Sequence, residues 1–338
     1  MNYKSRISGV GSYVPDQIWT NFDLEEMLDT TNEWIQKRTG IEQRQWVTPE
    51  QSNSDLAFKA SNKAIESAGL SVTDIDMIVY ATLSPDHDFP GTGCFLQDKL
   101  GIPEIAVLDI RQQCSGYLYG LSIADKFVCS GQYKNILVVG SEVHSKGLDR
   151  TPNGRAVSVL FGDGAGATVV SRTEIKDPAK DSHVMHTELH ADGSFAKQLW
   201  IAAPGNAMNS KHRIDHEMLD QGLQYPEMNG KAVFTHAVKR MAQTLSQCCE
   251  KSNVDIRDVD LFLFHQANLR INDKVGEILG LDPEKVFNTI QDYGNTTAAT
   301  IPLGMDRAIE EGKLKPGMLV ASAAFGSGFT WASALWRQ

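Results

Sequence analysis

The stretch VLDIRQQCSGYLYGLSIADKF, from Val107 to Phe127, decides the fold of this chain. An apolar run from Ile105 to Ile110 has the pattern of a buried strand, and the residues after Cys114 have the apolar spacing of a helix. Cys114 is therefore predicted at a strand-to-helix junction. The unpaired N–H groups of a helix start stabilise a thiolate and lower a cysteine pKa from about 8.5, which suits a nucleophile. A small buried apolar side chain is the alternative interpretation of Cys114 taken alone.

Two halves of the chain resemble each other weakly. DIDMIVYATLS begins at Asp74, and DVDLFLFHQAN begins 184 residues later at Asp258; each is an acidic pair followed by an apolar strand pattern. VLDIRQQC at Val107 and VFNTIQDY at Val286 keep nearly the same offset, 179 residues. Amphipathic helical patterns lie between the strands. The sequence thus predicts an α/β fold built from two duplicated βαβ-rich halves, with mostly parallel sheets covered by helices.

The duplication divides the chain into three predicted parts. Residues 1–175 form an N-terminal half with the nucleophile, residues 176–230 form a connection, and residues 231–338 form a C-terminal half. Within the connection, the segment from Asp192 to Asn229 has mixed polarity and two prolines. We interpret this segment as an insertion that shapes a substrate site or a dimer rim.

Three polar side chains are predicted at equivalent edges of the duplicated core. Besides Cys114, His265 ends the apolar strand pattern of LFLFHQANLRI, and Asn295 lies in DYGNTTAA before a helix. Small residues at Gly116 and Gly120 predict that two central helices pack closely with adjacent N-termini, which would bring Cys114 near Asn295. A hydrogen-bonded core histidine and a plain helix cap are the alternatives for each residue alone.

Composition excludes several classes of function. The 338-residue chain has a formal net charge of -10, whereas phosphate binding requires concentrated Lys and Arg, so nucleic acid is not expected as a partner. No stretch approaches the ~20 apolar residues of a membrane span. The N-terminal sequence lacks the apolar region of a secretory signal. We expect a cytoplasmic protein with no membrane association, whose five cysteines stay reduced.

No metal site is predicted. His183, His186 and His190 are candidate ligands, but regular strand alternation would put His183 on the opposite face from the other two. The number and spacing of the cysteines fit neither a zinc site nor a disulfide framework. The glycine-rich run from Gly162 to Gly166 lacks the spacing of a nucleotide loop and is interpreted as a tight turn with packing glycines.

Several long motifs resemble those of the β-ketoacyl-acyl-carrier-protein synthase III group of the thiolase superfamily. The resemblance covers essentially the whole chain and is carried by TNEWIQKRTGI, DIRQQCSGYLYGL, VLFGDGAGA, FHQANLRI, YGNTTAATIP and AFGSGFTWAS. It implies the five-layered αβαβα thiolase fold, a homodimer, and an acyltransferase with no cofactor beyond its coenzyme A thioester substrate. The expected reaction is transfer of an acyl group from acyl-CoA to a cysteine, followed by decarboxylative Claisen condensation with a malonyl thioester, expected on acyl carrier protein.

The resemblance implies a role for each site residue. Cys114, His265 and Asn295 match the catalytic triad, in which the thiolate carries the acyl group while the other two donate hydrogen bonds to the malonyl thioester carbonyl. The backbone N–H groups of Cys114 and Ser327 match the oxyanion hole. Binding of CoA or the carrier is assigned to Trp34, Arg38, Arg155, Asn268 and Arg270, with Arg155 sandwiching the adenine against Trp34. The acyl pocket is assigned to Phe89, Gln112, Gln113 and Phe234, with Phe89 reaching across the dimer.

The sequence departs from the family pattern at three places. Gln112 and Gln113 precede the nucleophile where small residues are usual, and Ser327 replaces the middle glycine of a GGG run. Glu277 and Ile278 stand where lysines usually face the acidic carrier protein. These changes favour a specialised member of the family. An alternative basic surface consists of Lys231, Lys239, Arg240, Arg270 and Lys274.

The sequence is also compatible with two further functions. The first is acyl transfer in secondary metabolism or a condensation without decarboxylation, which needs a base, often a glutamate near the cysteine. No such glutamate is evident near Cys114 in the sequence, which favours decarboxylation. The second is a non-catalytic acyl-CoA-binding partner subunit, which would be free to lose residues such as His265 and Asn295 that this chain retains.

Overall fold

A computed structural model describes residues 3–338 of the chain. Its strands are β1 (Lys4–Tyr13), β2 (Ile18–Thr20), β3 (Gln43–Gln45), β4 (Met77–Ala81), β5 (Ala106–Ile110), β6 (Asn135–Glu142), β7 (Gly164–Thr173), β8 (His183–Ala191), β9 (Leu199–Trp200), β10 (Glu227–Met228), β11 (Leu261–Phe264), β12 (Leu319–Gly326) and β13 (Thr330–Arg337). Its α-helices are α1 (Asn21–Glu25), α2 (Asn32–Thr39), α3 (Asn53–Ser67), α4 (Thr92–Leu100), α5 (Gly116–Cys129), α6 (Arg155–Ser158), α7 (His216–Asp220), α8 (Gly230–Lys251), α9 (Leu269–Leu279), α10 (Ile290–Tyr293) and α11 (Thr300–Glu310).

The two large sheets have the same internal arrangement. The first has the strand order β1-β7-β6-β4-β5, and the second has the order β8-β13-β12-β11. In the second sheet Val286 forms a single parallel bridge with Phe262 of β11, at the place that β5 takes beside β4. The predicted duplication is therefore confirmed.

The expectation of mostly parallel sheets is wrong, because both sheets are mixed. β4 is parallel to β5 and β6, and β11 is parallel to β12, but β7 and β13 run antiparallel to both of their neighbours. The reason is clearest between β12 and β13, where three residues join the strands. Such a link is too short for the helical crossover of ten or more residues that parallel strands require.

Five layers follow from the packing of the apolar side chains. The central helices α5 and α11 lie between the sheets, where Leu121 and Met305 pack with Val138 of β6 and Val320 of β12. Apolar residues of α3 and α4 cover the outer face of the first sheet, and those of α8 and α9 cover the outer face of the second. This is the αβαβα order that the family resemblance implied.

The predicted connection over residues 176–230 contributes a strand to the second sheet. β8 lies within it and pairs with β13, while β9 and β10 form a separate two-stranded ribbon in the insertion. A bulge in β8 pairs His183 with Arg337 and His186 with Leu335, so both histidines face the same side of the sheet. The argument that alternation separates them is thus wrong. Even so, residues 3–338 contain no group of three or more ligating side chains placed to hold a metal ion.

A further feature of the fold is the length and apolar character of its helices. Over the described range, residues 3–338, none of them has the length and apolar character needed to cross a membrane.

Candidate active site

Cys114 lies at the predicted strand-to-helix junction. It occupies a 3-10 turn over Gln113–Ser115, between β5 and α5, and only 7% of its surface is exposed. Gln113 has a φ of 46°, a left-handed conformation that is strained for a residue with a side chain. The N–H of Ser115 donates to the carbonyl of Gln112 at 3.0 Å. This tight turn therefore fixes the cysteine at the start of the central helix.

The thiol of Cys114 is protonated in the resting structure. Burial raises its pKa to about 12, the negative charge of Glu142 acts in the same direction, and hydrogen bonding to the backbone N–H of Cys114 opposes them. The expectation that the helix start lowers this pKa is wrong, because loss of hydration outweighs the stabilisation of the thiolate. To act as a nucleophile, Cys114 would consequently need a proton acceptor.

Glu142 is a buried carboxyl close to Cys114 that sequence analysis missed. Burial raises its pKa to about 7, against the effect of hydrogen bonds from the loop after β4. In that loop the Thr82 hydroxyl donates at 3.0 Å, the Leu83 N–H at 3.1 Å and the Ser84 hydroxyl at 2.5 Å. The expectation that no glutamate lies near Cys114 is wrong, although this carboxyl is already engaged with the loop.

His265 follows β11, and its backbone N–H donates to the carbonyl of Ala323 in β12 at 2.9 Å. Its Nδ1 lies 2.8 Å from the hydroxyl of Thr300, which in turn lies 3.0 Å from the carbonyl of Thr297. Its Nε2 is buried and has no hydrogen-bond partner within residues 3–338. Burial lowers the pKa of His265 to about 3, so the ring is neutral at physiological pH.

Asn295 is held from both sides by backbone hydrogen bonds. Its N–H donates to the carbonyl of Leu160 at 2.8 Å, and its carbonyl accepts from the N–H of Gly162 at 3.2 Å. Its side-chain Oδ1 accepts from the N–H of Thr297 at 2.9 Å. Because Oδ1 is engaged in this way, Nδ2 is the side-chain group left to meet a substrate, and that group is a donor.

Close contacts bring the elements that carry the three residues together. A Cβ placed on Gly326 would lie 2.9 Å from the Cβ of Cys114, and one placed on Gly116 would lie 3.4 Å from the Cβ of Ala298. The turn of Cys114 thus packs against the end of β12 and against the turn that follows Asn295. The predicted side-by-side packing of the two central helix starts is confirmed.

Thr297 links the histidine to the asparagine. Its N–H orients Asn295 and its carbonyl faces the Thr300 hydroxyl that contacts His265. Thr297 also has a left-handed φ, 51°, and it follows Gln113 by 184 residues, the offset of the duplication. Neither Thr297 nor Thr300 was singled out by sequence analysis, although both stand in the quoted YGNTTAATIP motif.

Ser327 adopts a backbone conformation that its side chain tolerates. Among residues 3–338 the non-glycine residues with positive φ are Gln113, Asn253 and Thr297. The Ser327 hydroxyl donates to the carbonyl of Leu199 in β9. The replacement of glycine by serine therefore gives the loop after β12 a side-chain contact with the insertion.

The predicted CoA-binding residues form one continuous group. The Arg155 and Arg38 guanidinium carbons lie 4.5 and 5.6 Å from the ring centroid of Trp34. Asn268 Nδ2 donates to the carbonyl of Arg38 at 2.9 Å, which joins the end of α2 to the start of α9. Next along α9, Arg270 lies 5.5 Å from the ring of Phe234, so this predicted acyl-pocket residue stands beside the CoA-binding group.

The position of Arg155 leaves no room for a purine between its guanidinium group and the indole of Trp34. A sandwich needs two stacking contacts of about 3.5 Å each, and the guanidinium is 4.5 Å from the indole centroid. Arg155 also donates to the carbonyl of Asp29 at 2.7 Å. Binding of adenine between the two side chains thus requires Arg155 to move away from the indole.

The other predicted acyl-pocket residues differ in exposure. Phe89, in the loop between β4 and α4, is 84% exposed, whereas Gln112 and Gln113 are half-buried beside Cys114. Two surface cavities lie elsewhere, with volumes of about 380 and 440 Å³, and none of the three catalytic candidates lines them.

Comparisons with known proteins agree over the full length of the chain. A family model described as 3-oxoacyl-[acyl-carrier-protein] synthase III matches residues 108–193, and a model of its C-terminal part matches residues 249–338. A β-ketoacyl-[acyl-carrier-protein] synthase III from Clostridioides difficile is 42% identical, with 99% of this chain and 98% of the relative covered. The chain belongs to the 3-oxoacyl-[acyl-carrier-protein] synthase III family.

Solved structures support the same assignment. The crystal structure of 3-oxoacyl-[acyl-carrier-protein] synthase III from Aquifex aeolicus is 40% identical, with a TM-score of 0.88, and covers 99% of this chain and 100% of its own. The priming β-ketosynthase of the R1128 polyketide pathway is 30% identical, with a TM-score of 0.88 and coverage of 99% and 96%. The protein is thus a condensing acyltransferase with a thiolase-like fold.

Proposed function

We propose that the protein joins an acyl group held on Cys114 to a malonyl unit, with acyl-CoA as the acyl donor and acyl carrier protein as the malonyl carrier. The observation that carries this proposal is the unpartnered Nε2 of His265, buried beside the elements that hold Cys114 and Asn295. An imidazole nitrogen and an amide Nδ2 with free hydrogen-bonding capacity suit a site where negative charge develops on a thioester oxygen. The reaction uses no cofactor other than the CoA thioester.

In the first half-reaction, Cys114 takes the acyl group. His265 Nε2 accepts the thiol proton, the sulfur bonds to the acyl carbon, and the bond to the sulfur of CoA breaks. The CoA sulfur then takes the proton from Nε2 and leaves as a thiol. The backbone N–H groups of Cys114 and Ser327 stabilise the oxyanion of the tetrahedral intermediate.

In the second half-reaction, the malonyl unit loses carbon dioxide. The electron pair of the broken carbon–carbon bond forms an enolate, whose oxygen accepts hydrogen bonds from His265 Nε2–H and Asn295 Nδ2. The enolate carbon attacks the acyl carbon and the bond to Cys114 breaks, which releases a β-ketoacyl thioester. The Cys114 sulfur leaves as a thiolate and takes a proton from solvent water, which restores the thiol. A neutral His265 suits this step, because burial lowers its pKa to about 3.

Thr300 supports both steps. His265 Nε2 is an acceptor in the first step and a donor in the second. Because a neutral imidazole has one N–H, Nδ1 must be a donor in the first step and an acceptor in the second. The carbonyl of Thr297 also accepts a hydrogen bond from the N–H of Thr300, so it keeps a donor when the Thr300 hydroxyl turns away. That hydroxyl is therefore able to donate to the carbonyl while it accepts from Nδ1–H, or to donate to Nδ1 instead. Either neutral form of His265 is then fully hydrogen-bonded at Nδ1.

Acyl-CoA is the proposed donor because of the group around Trp34. An indole flanked by two guanidinium groups offers stacking to a purine and positive charge to phosphates. The cavity of about 380 Å³ is less suited to phosphates, since Asp149, Asp220 and Glu227 line it.

The carrier protein is proposed to dock on the basic residues around α8 and α9. Lys274 is paired with Glu277 at 2.7 Å, and Arg240 lies 4.6 Å from the ring of Trp331 and 3.9 Å from Asp192. Lys231, Lys239 and Arg270 are then the basic side chains best placed to meet an acidic partner. We place the reaction in the cytoplasm, where free thiols such as Cys114 stay reduced.

The active protein is proposed to be a homodimer joined through the first sheet. Within residues 3–338, β5 pairs only with β4, and its Leu108 is 37% exposed. An unpaired edge with an exposed leucine suits strand pairing with a second copy. Phe89 is 84% exposed on the neighbouring loop, in keeping with contact to the partner's acyl pocket.

A second candidate is condensation without decarboxylation, and Glu142 is the observation that favours it. Its pKa of about 7 suits proton abstraction, and its charge is felt by Cys114. Its carboxyl, however, already accepts hydrogen bonds from Thr82, Leu83 and Ser84. Decarboxylation remains the better proposal, because it requires no base for a carbon-bound proton.

Intact mass spectrometry with a series of acyl-CoAs tests the proposed function. We expect a covalent acyl adduct on the native protein and none on Cys114→Ala. His265→Ala should lose carbon dioxide release from a malonyl thioester about a hundredfold, because one such hydrogen-bond donor contributes about 3 kcal/mol. Malonyl-CoA and malonyl-carrier protein are supplied separately to identify the carrier.

Three outcomes would contradict the proposal. Absence of an adduct with every acyl-CoA would favour the non-catalytic alternative. Condensation of two acyl-CoAs without carbon dioxide, abolished in Glu142→Gln, would favour the second candidate. An adduct that transfers to a small acceptor instead of a malonyl unit would indicate an acyltransferase of secondary metabolism.

A further inference from the structure

The loop between β12 and β13 lies directly on the nucleophile. A Cβ placed on Gly326 would be 2.9 Å from both the Cβ and the backbone nitrogen of Cys114. No side chain fits there, so the backbone of this loop packs directly against the backbone and Cβ of Cys114. Ser327 is the next residue, and its N–H is proposed above as an oxyanion donor. Small shifts of the loop will therefore change the position of the Ser327 N–H in the proposed oxyanion hole.

The loop is held to the nucleophile side by Thr330. The hydroxyl of Thr330 lies 3.2 Å from the carbonyl of Ser327 and 3.3 Å from that of Gln112, two residues before Cys114. At the other end of the loop, Phe329 and Asp192 exchange backbone hydrogen bonds of 2.9 and 2.8 Å. These contacts use backbone groups of the loop and would be possible with glycine at position 327.

The side chain of Ser327 adds a contact that glycine lacks. Its hydroxyl donates to the carbonyl of Leu199 in β9. β9 pairs with β10, and Asn229 after β10 donates from its N–H to the carbonyl of Gln198 at 2.8 Å. The hydroxyl thus joins the loop on the nucleophile to the ribbon formed by β9 and β10, which belongs to the insertion.

We propose that the Ser327 hydroxyl is a positioning group that couples the β9–β10 ribbon to the oxyanion hole. The inference rests on the proposed function, because it assigns the Ser327 N–H to the acyl-transfer oxyanion. The ribbon then sets the orientation of that N–H. It does not set the orientation of the His265 and Asn295 donors, which serve decarboxylation, because these two residues lie on other elements. The serine at position 327, where the family pattern has glycine, thereby lets the insertion change the rate of acyl transfer.

The experiment compares Ser327→Ala, which keeps Cβ and removes the hydroxyl, with Ser327→Thr, which keeps the hydroxyl. Single-turnover acylation of Cys114 and carbon dioxide release from malonyl-CoA are measured on each variant. For Ser327→Ala we expect the ratio of acylation rate to decarboxylation rate to fall about tenfold, the effect of one lost hydrogen bond. Ser327→Thr should recover most of that ratio. Backbone hydrogen exchange at Leu199–Trp200 and Glu227–Met228 should be faster in Ser327→Ala alone.

The outcomes separate this inference from the proposed function. An unchanged ratio in Ser327→Ala, or unchanged exchange in the ribbon, overturns the coupling. Equal loss of both half-reactions overturns it too, since a general loss of stability would have that effect. If the native protein forms no acyl adduct, the proposed function fails. The hydroxyl contact between Ser327 and the ribbon is still tested in that case, because it predicts slow hydrogen exchange of the ribbon in the native protein and fast exchange in Ser327→Ala.

Discussion

At the scale of single residues, we expect the chemistry of the proposed site to depend on the Thr300 hydroxyl, which contacts His265. Thr300 is 2% exposed and supplies the hydrogen bond that Nδ1 of His265 makes. Valine has nearly the same shape and no hydroxyl, so it would leave Nδ1 buried without a partner. An unpaired buried polar group of this kind costs about 1–3 kcal/mol.

Thr300→Val is therefore expected to lower kcat about tenfold to a hundredfold with a smaller change in KM, since His265 is proposed to act in the transition states. Thr300→Ser keeps the hydroxyl and should recover most of the activity. Steady-state kinetics of both variants and thermal unfolding measure the effect. A Thr300→Val protein as active as the native one would contradict the positioning role, as would equal activity loss in both variants.

At the scale of secondary-structure elements, Glu142 joins the end of β6 to the loop after β4. That loop leads to Phe89 and α4, so one carboxyl holds together two segments beside the nucleophile. Burial raises the pKa of Glu142 to about 7 from an ordinary value near 4.5. Between these two values the folded protein binds more protons at this group than the unfolded chain does.

The sign of the resulting pH dependence follows from proton linkage. Excess proton binding by the folded state means that this group makes stability fall as pH rises from about 4.5 to about 7. The contribution is about 3 kcal/mol, since each pKa unit corresponds to about 1.4 kcal/mol. Between pH 5 and pH 8 the free energy of unfolding should therefore fall less for Glu142→Gln than for the native protein, as measured by denaturant titration.

The control for this prediction is Glu142→Asp, which keeps a titrating carboxyl. We expect its pH dependence to resemble that of the native protein even where its absolute stability is lower. Parallel pH curves for the native protein and Glu142→Gln would show that Glu142 does not titrate in this range.

At the scale of the whole molecule, the open edge of the first sheet is the surface through which we propose that two copies associate. Pairing of β5 with its copy would extend the five-stranded sheet into one sheet of ten strands. It would also cover Leu108 and bring each protomer's Phe89 loop toward the other.

Leu108→Lys is expected to weaken this association, because a lysine charge at the centre of a strand pairing must lose its hydration. Ile278→Lys on α9 is a matched control, since Ile278 is 54% exposed and lies on the outer helical layer. Sedimentation at several concentrations should show a monomer for the first variant and a dimer for the second. A dimer in both would place the interface on another surface.

Prediction from sequence succeeded where a local pattern carries the information. The apolar runs of β4 and β11 and the 184-residue offset identified the duplicated core, and the small residues of α5 predicted close packing of the central helices. Prediction failed where the outcome depends on the surroundings. The bulge in β8 brings His183 onto the face of His186, and a three-residue link makes β12 and β13 antiparallel.

The sequence by itself determined the duplicated α/β core, the family, and the chain positions of Cys114, His265 and Asn295, because strand ends and helix starts are local features. Only the tertiary structure decided the protonation of the site. Burial keeps Cys114 as a thiol and His265 neutral, and the fold brings the charge of Glu142 within electrostatic range of Cys114. Hydration and distance between remote segments set these properties, and neither is encoded in any single stretch of the chain.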